Sequence, residues 1–255
     1  MTQSDKYRTF AALHVPGDPL ILYNAWDAGS ARVIAEAGAR AIATGSASVA
    51  GAQGYHDAEA LPLELALANA ERVVAAVELP VSIDFEGAYA VEPDGVAVNM
   101  ARLAATGAIG CNFEDQMIGG EGLHAIDAQA ARIAAARAAT GADFFINART
   151  DIFLQAKAET HDSAKVDAAI ERAAAYAAAG ASGFFAPGLA DLDLLRRLCG
   201  AVTLPVNFMA WPGTPPAAAI AATGVARISH GPFPHRVAMQ ALKEAAAAEF
   251  AGQAS

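Results

Sequence analysis

Three carboxylates follow two short apolar segments of the sequence, and their spacing is the first indication of chemistry. Asp84 and Glu86 end one segment, and Glu114 ends the next one along the chain. A carboxylate is costly to desolvate, so one placed where a buried strand emerges usually binds a cation, moves a proton or pairs with a base. Oxygen ligands from neighbouring strands favour Mg²⁺, with Mn²⁺ as the alternative, over zinc. The other interpretation is that these acids pair with Arg149 and cap loops.

Two further strand ends carry groups that suit an anionic substrate. Arg149 follows an apolar segment, and its planar guanidinium suits a carboxylate or an enolate oxygen. An ion pair with Asp151 or Glu114 is the alternative. Gly45 and Ser46 end another segment, where backbone N–H groups could hold a carboxylate or oxyanion. A simple turn would use the same small residues.

Three more polar residues complete the predicted set near the strand ends. Asn112 and Asn207 lie at the ends of apolar segments and are candidates for substrate binding. Asp57 lies in the long connection between residues 47 and 65. It is a candidate metal-site or proton-carrying group, and a helix cap is the alternative.

A glycine-rich stretch, residues 117–126, directly follows Glu114 and Asp115. Such a segment is interpreted as a mobile lid that excludes water from a reactive intermediate. Glu121 or His124 could deliver a proton when the lid closes, and a solvated surface loop is the alternative. Asp115 is expected to anchor the base of this lid.

A repeated pattern indicates the elements that position these residues. The pattern is Ala-x-x-Gly-Ala or Ala-x-x-Gly-Val followed by an apolar run, which is typical of a helix that ends at a left-handed glycine and passes into a buried strand. Leu-Pro-Val at 79–81 and at 204–206 marks two similar junctions. The glycines of the repeat are Gly38, Gly107, Gly141, Gly180 and Gly224.

Eight strands alternating with helices predict a (β/α)8 TIM barrel, an α/β fold with its chemistry at the carboxyl ends of the strands. We expect one domain over residues 1–255, with an N-terminal helix and a C-terminal helix from about Pro234 to Gly252. A doubly wound sheet is the alternative, but no Gly-x-Gly-x-x-Gly follows a strand. The predicted strands lie near 20–24, 41–44, 81–85, 109–113, 144–148, 183–186, 205–208 and 226–229.

Composition limits the classes of function. Hydrophobic residues make up 55% of the chain, yet no charge-free apolar run of about 18 residues occurs and the N-terminus lacks a signal-peptide core. A cytoplasmic protein with no membrane partner is predicted. The net charge of -10 argues against nucleic acid, and two cysteines are too few for a disulfide framework. The alanine-rich helices favour a homo-oligomer, a dimer or a tetramer.

Five motifs occur in the order and approximate spacing found in the isocitrate lyase/phosphoenolpyruvate mutase superfamily, which the chain resembles over roughly residues 15 to 235. The resemblance implies a Mg²⁺-dependent barrel that acts on small 2-oxo or 2-hydroxy acids, dicarboxylates included, through an enolate, usually as a tetramer with exchanged helices. The motifs are Gly45-Ser46, Gly54-Tyr-His-Asp57, Asp84-Phe-Glu86, Asn112-Phe-Glu-Asp115 and Ala148-Arg-Thr-Asp151.

The resemblance also implies a role for individual residues. It places four carboxylates around the magnesium ion and its waters, two small residues on the substrate carboxylate or oxo group, and Arg149 on the developing enolate. The carboxylates are Asp57, Asp84, Glu86 and Glu114, and the small residues are Gly45 and Ser46.

The predicted lid departs from the family pattern. Residues 116–124 contain neither the Lys-Lys/Arg-Cys-Gly-His sequence of the isocitrate and methylisocitrate lyases nor the Lys-Thr-Asn character of the phosphonate mutases. Cys111 belongs to a strand and is assigned to packing. A C–C lyase or decarboxylase is predicted. The alternatives are a phosphonate P–C mutase or hydrolase, a ketopantoate hydroxymethyltransferase and a non-catalytic metal-dependent dicarboxylate binder.

Overall fold

The computed structural model describes residues 1–252, in which eight parallel strands form a nearly closed barrel. Neighbouring strands pair in the order β1-β8-β7-β6-β5-β4-β3-β2. The gap between β1 and β2 is bridged just beyond the strand ends, where the N–H of Ala25 donates to the carbonyl of Ala43 at 2.8 Å. The predicted (β/α)8 fold is confirmed. The strands are β1 Leu20–Leu22, β2 Ile42–Ala43, β3 Val81–Asp84, β4 Gly110–Glu114, β5 Phe145–Arg149, β6 Gly183–Phe185, β7 Val206–Met209 and β8 Arg227–Ser229.

Helices alternate with these strands, and each glycine of the repeat ends a helix as predicted. The five glycines have φ between 75° and 100°. Within the long connection after β2, the structure adds a short helix, α3, that the sequence pattern did not predict. The α-helices are α1 Gln3–Ala12, α2 Ala28–Glu36, α3 Ser46–Ala52, α4 Leu63–Ala76, α5 Pro93–Ala105, α6 Ile126–Thr140, α7 Ser163–Ala178, α8 Leu192–Ala201, α9 Ala217–Ala221 and α10 Phe233–Gly252.

Helix α1 closes the amino-terminal end of the barrel. Its Phe10 is fully buried and meets Phe145 edge-to-face, with ring centroids 5.2 Å apart. His14 stacks on the same ring at 4.4 Å. Burial, reinforced by the charge of Arg227, lowers the pKa of His14 to about 3, so this histidine is neutral and structural.

The middle of the barrel is polar, unlike the branched apolar layers usual in this fold. Asn112 on β4 accepts hydrogen bonds from Asn147 at 2.8 Å and from Arg227 of β8 at 3.2 Å. Arg227 is 1% exposed, and its Nε and Nη1 have no hydrogen-bond partner. Gly183 leaves room for this layer, because a β-carbon there would lie 2.8 Å from Oδ1 of Asn147.

Helix α10 follows the last strand, β8, and extends away from the barrel. Of its residues only Pro234 is buried, whereas Val237, Leu242 and Phe250 are each about 60% exposed. Among residues 1–252, no helix combines the length and the apolarity needed to cross a membrane.

The tight packing at Gly183 can be tested by adding one methyl group. Gly183→Ala should destabilise the fold by about 1–3 kcal/mol because its β-carbon would lie within 3 Å of Asn147 and of the Phe145 ring, which are both buried. Gly200→Ala is the matched control, since nothing lies within 4 Å of its added β-carbon and alanine favours helix α8. Thermal unfolding should show a lower Tm for the first variant only, and an unchanged Tm there would contradict the packing described.

Candidate functional site

A cavity of about 220 Å³ opens at the carboxyl ends of the strands. Predicted residues from five separate segments of the chain meet in its lining, which confirms that the strand ends converge. They include Gly45, Ser46, Asp57, Asp84, Asn112 and Arg149. Apolar side chains from later strands and loops also line it, among them Leu154, Phe185 and Met209.

Asp84 is held at the floor of this cavity by donors on both carboxylate oxygens. The backbone N–H of Ser46 donates to Oδ2 at 2.9 Å, and Nδ2 of Asn112 donates to Oδ1 at 3.1 Å. Asn112 in turn bonds the buried Arg227. A hydrogen-bonded path therefore runs from the polar middle of the barrel to the carboxylate at its mouth.

Arg149 makes both ion pairs that the sequence left as alternatives. Its Nη1 lies 2.7 Å from Glu114, and its Nε and Nη2 bind the two oxygens of Asp151 at 2.6 and 2.8 Å. Burial opposes the charge, but these carboxylates raise the pKa of Arg149, which stays a cation. A guanidinium has five N–H groups, and Arg149 also lines the cavity, so it is a cation that an anionic ligand there could contact.

Glu86 lies between two loops with strained backbones. The N–H of Glu59 donates to Oε2 of Glu86 at 2.8 Å, and Glu59 in return accepts from the N–H of Tyr89 at 2.7 Å. Residues other than glycine rarely have positive φ, and such strain tends to occur at functional sites. Here φ is positive at Ala58, Glu59, Glu86, Ala88 and Tyr89.

Arg132 of α6 fixes the second of these loops from behind. It is 2% exposed, and its Nη2 donates to the carbonyls of Gly87 at 2.7 Å and Ala90 at 3.0 Å. Its guanidinium also lies 4.8 Å from the centre of the Phe113 ring. One buried side chain thus connects the loop after β3 with strand β4.

The carboxylates repel one another, which makes the mouth receptive to a cation. Burial, and then the charge of Asp84, raise the pKa of Asp57. Burial, followed by the charges of Asp57 and Asp84, raises the pKa of Glu86 to about 8. An all-oxygen donor set in which neighbouring acids disfavour one another's ionisation fits a hard divalent ion such as Mg²⁺.

The geometry distinguishes the four acids of the predicted metal set. Glu86 is bonded to the Glu59 N–H and Glu114 to Arg149, and within residues 1–252 no three Asp, Glu, His or Cys side chains are grouped as direct ligands. Mg²⁺ usually keeps several waters and needs few protein ligands. Asp84 and Asp57 line the cavity, whereas Glu86 and Glu114 are not among its lining residues, so the two aspartates are the candidates for direct contact and the two glutamates for contact through water.

Two predicted substrate-binding assignments also need correction. The N–H of Gly45 donates to Ala25 and that of Ser46 to Asp84, so these backbone donors are not free for a ligand. Only the Ser46 hydroxyl, beside Asp57, remains as a polar contact. Asn207 is 2% exposed and bonded to Ser229, which places it in the barrel interior beneath the cavity.

The base of the predicted lid is held by Asp115, as expected. Its carboxylate accepts from Arg172 at 2.9 Å and from the Tyr176 hydroxyl at 2.8 Å, and its carbonyl accepts from the N–H of His124. His124, however, lines a separate cavity of about 390 Å³ together with Arg132, and Glu121 is exposed. The structure therefore brings neither proposed proton donor to Asp84, and a role for them requires movement of the lid.

Arg132 and Arg227 were not predicted from the sequence. Arg227 did carry a signal, because it is a lone basic residue inside the apolar run 225–228. Arg132 carried none, since arginine in an alanine-rich helix is typical of a solvated face. Cys111 packs against Met100 in the core, and burial raises the pKa of its thiol, as expected for a structural residue.

Comparisons with known proteins identify relatives of the chain. The family model described as phosphoenolpyruvate phosphomutase matches residues 10–250. An uncharacterized Mycobacterium tuberculosis H37Rv protein is 35% identical over 248 residues, 96% of this chain and 90% of that protein. The 2-methylisocitrate lyase of Escherichia coli K12 is 29% identical over 208 residues, 78% of this chain and 68% of the enzyme.

Solved structures extend the comparison. A Burkholderia cenocepacia J2315 protein provisionally named a phosphonomutase is 49% identical with a TM-score of 0.93, covering 99% of this chain and 100% of that one. A phosphonopyruvate hydrolase solved with oxalate and Mg²⁺ is 21% identical with a TM-score of 0.83, covering 96% and 85%, and shares the fold. With its family-model match over nearly the whole sequence, the chain belongs to the phosphoenolpyruvate mutase/isocitrate lyase superfamily.

Proposed function

We propose that the protein is a Mg²⁺-dependent enzyme that forms or consumes the enolate of a small 2-oxo or 2-hydroxy acid, as a C–C lyase or decarboxylase. The observation that carries this proposal is the cavity that Asp84, Asp57 and Arg149 line together. A carboxylate pair for a divalent cation stands there beside a buried guanidinium for an anion. The similarity to 2-methylisocitrate lyase supports the lyase assignment.

Each group has a definite task in this chemistry. When bound, Mg²⁺ would supply Lewis-acid polarisation of the substrate oxygen. Arg149 donates to the oxygen on which negative charge develops, in a site where burial strengthens the interaction. Asp57, which is bonded to the Ser46 hydroxyl, is the second carboxylate of the pair. Asp84 stays oriented because Ser46 and Asn112 bind its two oxygens.

Phosphonate P–C chemistry is the second candidate. It is favoured by the 49% identity to the protein provisionally named a phosphonomutase and by the family model itself. Both reactions pass through the enolate of a 2-oxo acid, so the same carboxylates and arginine would serve either one. The group that leaves or migrates distinguishes them.

A panel of substrates separates these candidates. Oxaloacetate, alkyl-malates, methylisocitrate and phosphonopyruvate should be incubated with the enzyme in Mg²⁺ and, as a control, in EDTA. The lyase proposal predicts metal-dependent release of a 2-oxo acid from one of the carbon acids. Phosphate from phosphonopyruvate would move the assignment to P–C cleavage. Inactivity throughout, with tight oxalate binding, would favour a binder.

The metal assignment has a test that does not depend on turnover. Asp84→Asn preserves the shape of the side chain but removes its charge, so calorimetry should show Mg²⁺-dependent oxalate binding weakened by about a hundredfold or more. Asp193→Asn, on the exposed face of α8, is the control and should bind as the wild type does. Undiminished binding by the Asp84 variant, with an unchanged Tm, would refute the metal site.

We also propose that the protein is a homo-oligomer joined through α10. An apolar groove of about 420 Å³ remains on the outer face of the barrel, lined in part by Ile21, Tyr23 and Trp211. Ile21 lies in β1 and Tyr23 follows it, yet their side chains are 45% and 44% exposed. The exposed apolar side chains of α10 from a second copy are chemically suited to cover this groove.

Light scattering after size-exclusion chromatography tests this association. Leu242 is 62% exposed on α10, and Leu242→Glu places a charge there. The variant should shift toward the monomer, because association would bury an unpaired carboxylate at a high cost. Lys243→Glu, at the neighbouring exposed position, is the control and should leave the mass unchanged. A wild-type protein that is monomeric at micromolar concentration would contradict the proposal.

A further inference from the structure

The two glutamates of the candidate metal site are joined through their backbones. The N–H of Glu114 donates to the carbonyl of Glu86 at 3.0 Å. Both side chains are candidates for contact with Mg²⁺ through water. Groups that hold the acceptors around a metal ion affect its affinity nearly as strongly as the direct ligands do. Whatever fixes the backbones of these two residues therefore acts on the metal site.

Helix α6 provides two buried side chains, Gln129 and Arg132, that bind these backbones. Nε2 of Gln129 donates to the carbonyl of Glu114 at 3.1 Å. Arg132 donates through Nη1 to Oε1 of Gln129, and through Nη2 to the carbonyls of Gly87 at 2.7 Å and Ala90 at 3.0 Å. We call Gln129 and Arg132 the α6 clamp. This hydrogen-bonded unit holds the end of β4 and the loop after β3 together.

The loop after β3 requires such support because its backbone is strained. The angle φ is positive at Glu86, Ala88 and Tyr89. Residues other than glycine keep this conformation only where the surrounding structure holds them in it. The two carbonyls that the clamp binds lie on either side of Ala88 and Tyr89. Without the clamp, we expect the loop to relax toward an ordinary conformation.

Movement of this loop would displace the Glu86 carboxylate. A β-carbon on Gly87 would lie 3.0 Å from Oε1 of Glu59 and 3.2 Å from Cγ1 of Ile118, so the loop is closely confined. The Glu59 carboxylate accepts from the N–H of Tyr89 at 2.7 Å, and the N–H of Glu59 donates to Oε2 of Glu86 at 2.8 Å. The position of the Glu86 carboxylate thus depends on the conformation of the loop.

On these grounds we infer that Gln129 and Arg132 are positioning residues, which fix Glu86 and Glu114 relative to each other and so make the site select Mg²⁺ over Ca²⁺. The inference rests on the proposed function, because that proposal makes Mg²⁺ the ion at this site. Neither clamp residue lines the candidate cavity.

The selectivity follows from the different demands of the two ions. Mg²⁺ requires a near-octahedral arrangement of oxygens at about 2.0–2.1 Å, whereas Ca²⁺ accepts about six to eight oxygens at about 2.3–2.6 Å in flexible arrangements. A site whose two glutamates can move apart therefore loses more affinity for Mg²⁺ than for Ca²⁺.

Competition between metal ions tests this role without substrate or turnover. Electron paramagnetic resonance of free Mn²⁺ reports its binding to the full chain, and Mg²⁺ and Ca²⁺ are titrated as competitors. The wild type should bind Mg²⁺ more tightly than Ca²⁺. In Gln129→Met the Mg²⁺ affinity should fall by about tenfold or more, with a smaller loss for Ca²⁺. Arg132→Lys should lose the Mg²⁺ preference too, because it keeps the charge but not the planar fork that binds both carbonyls.

Arg137→Met is the matched control. Arg137 lies on the same helix and also binds backbone carbonyls, those of Gly180 at 2.9 Å and Phe144 at 2.7 Å, which precede β6 and β5. Its loss should lower the Tm but leave the ratio of Mg²⁺ to Ca²⁺ affinity unchanged. The control therefore separates general destabilisation from an effect on the metal site.

Each outcome has a definite meaning. A wild-type ratio of Mg²⁺ to Ca²⁺ affinity in either clamp variant would overturn the inference, as would an equal change of the ratio in Arg137→Met. Gln129→Met removes no charge, so it decides the question if Arg132→Lys does not fold. A wild-type protein that fails to bind Mn²⁺ at millimolar concentration would instead refute the metal site itself, and the inference with it.

Discussion

The guanidinium of Arg149 lies between two buried carboxylates, and the charge balance at the mouth of the barrel depends on it. Glu114 and Arg149 are register partners on β4 and β5, so the ion pair also joins two strands at their carboxyl ends. Removing one member of a buried pair typically costs about 3–5 kcal/mol, because the other charge is left unpaired. With Glu114 and Asp151 held by this arginine, Asp57 and Asp84 remain as the acids that face the cavity.

The neighbouring acid, Glu86, lies in a strained part of the backbone. Each left-handed residue other than glycine costs roughly 1–3 kcal/mol, and the two loops that meet at Glu86 contain five of them. The reciprocal hydrogen bonds between Glu59 and its partners, with Arg132 behind them, offset that cost. The buried charge of Arg227 in the middle of the barrel is also costly for stability. Arg227 is connected to Asp84 through Asn112. The strained loops lower stability at the end of the barrel that contains the candidate site.

Much of the fold could be predicted from the sequence, because the glycine repeat and the short apolar runs are local signals with a direct physical cause. All eight strands lie where these signals place them, and Asp84, Asp57, Asn112 and Arg149 meet in one cavity as the barrel topology requires. Whether each acid, or Arg149, makes an ion pair or remains available to a ligand could not be predicted from the sequence. It depends on distances between segments far apart in the chain, as the bonds from Glu59 to Glu86 and from Ser46 to Asp84 show. Asn207 was misplaced for the same reason, since the depth of a residue inside the barrel follows from the stagger of the strands.

Helix α10 contributes Arg236 to the cavity at one end and presents exposed apolar residues at the other. Under the oligomer proposal, the same helix then takes part both in lining the candidate cavity and in contact between copies of the chain. Coupling between two binding equilibria is reciprocal, so any factor by which subunit association changes ligand affinity is also the factor by which the ligand changes subunit affinity. If the associated form binds the ligand more tightly, dilution weakens ligand binding and the ligand in turn holds the subunits together.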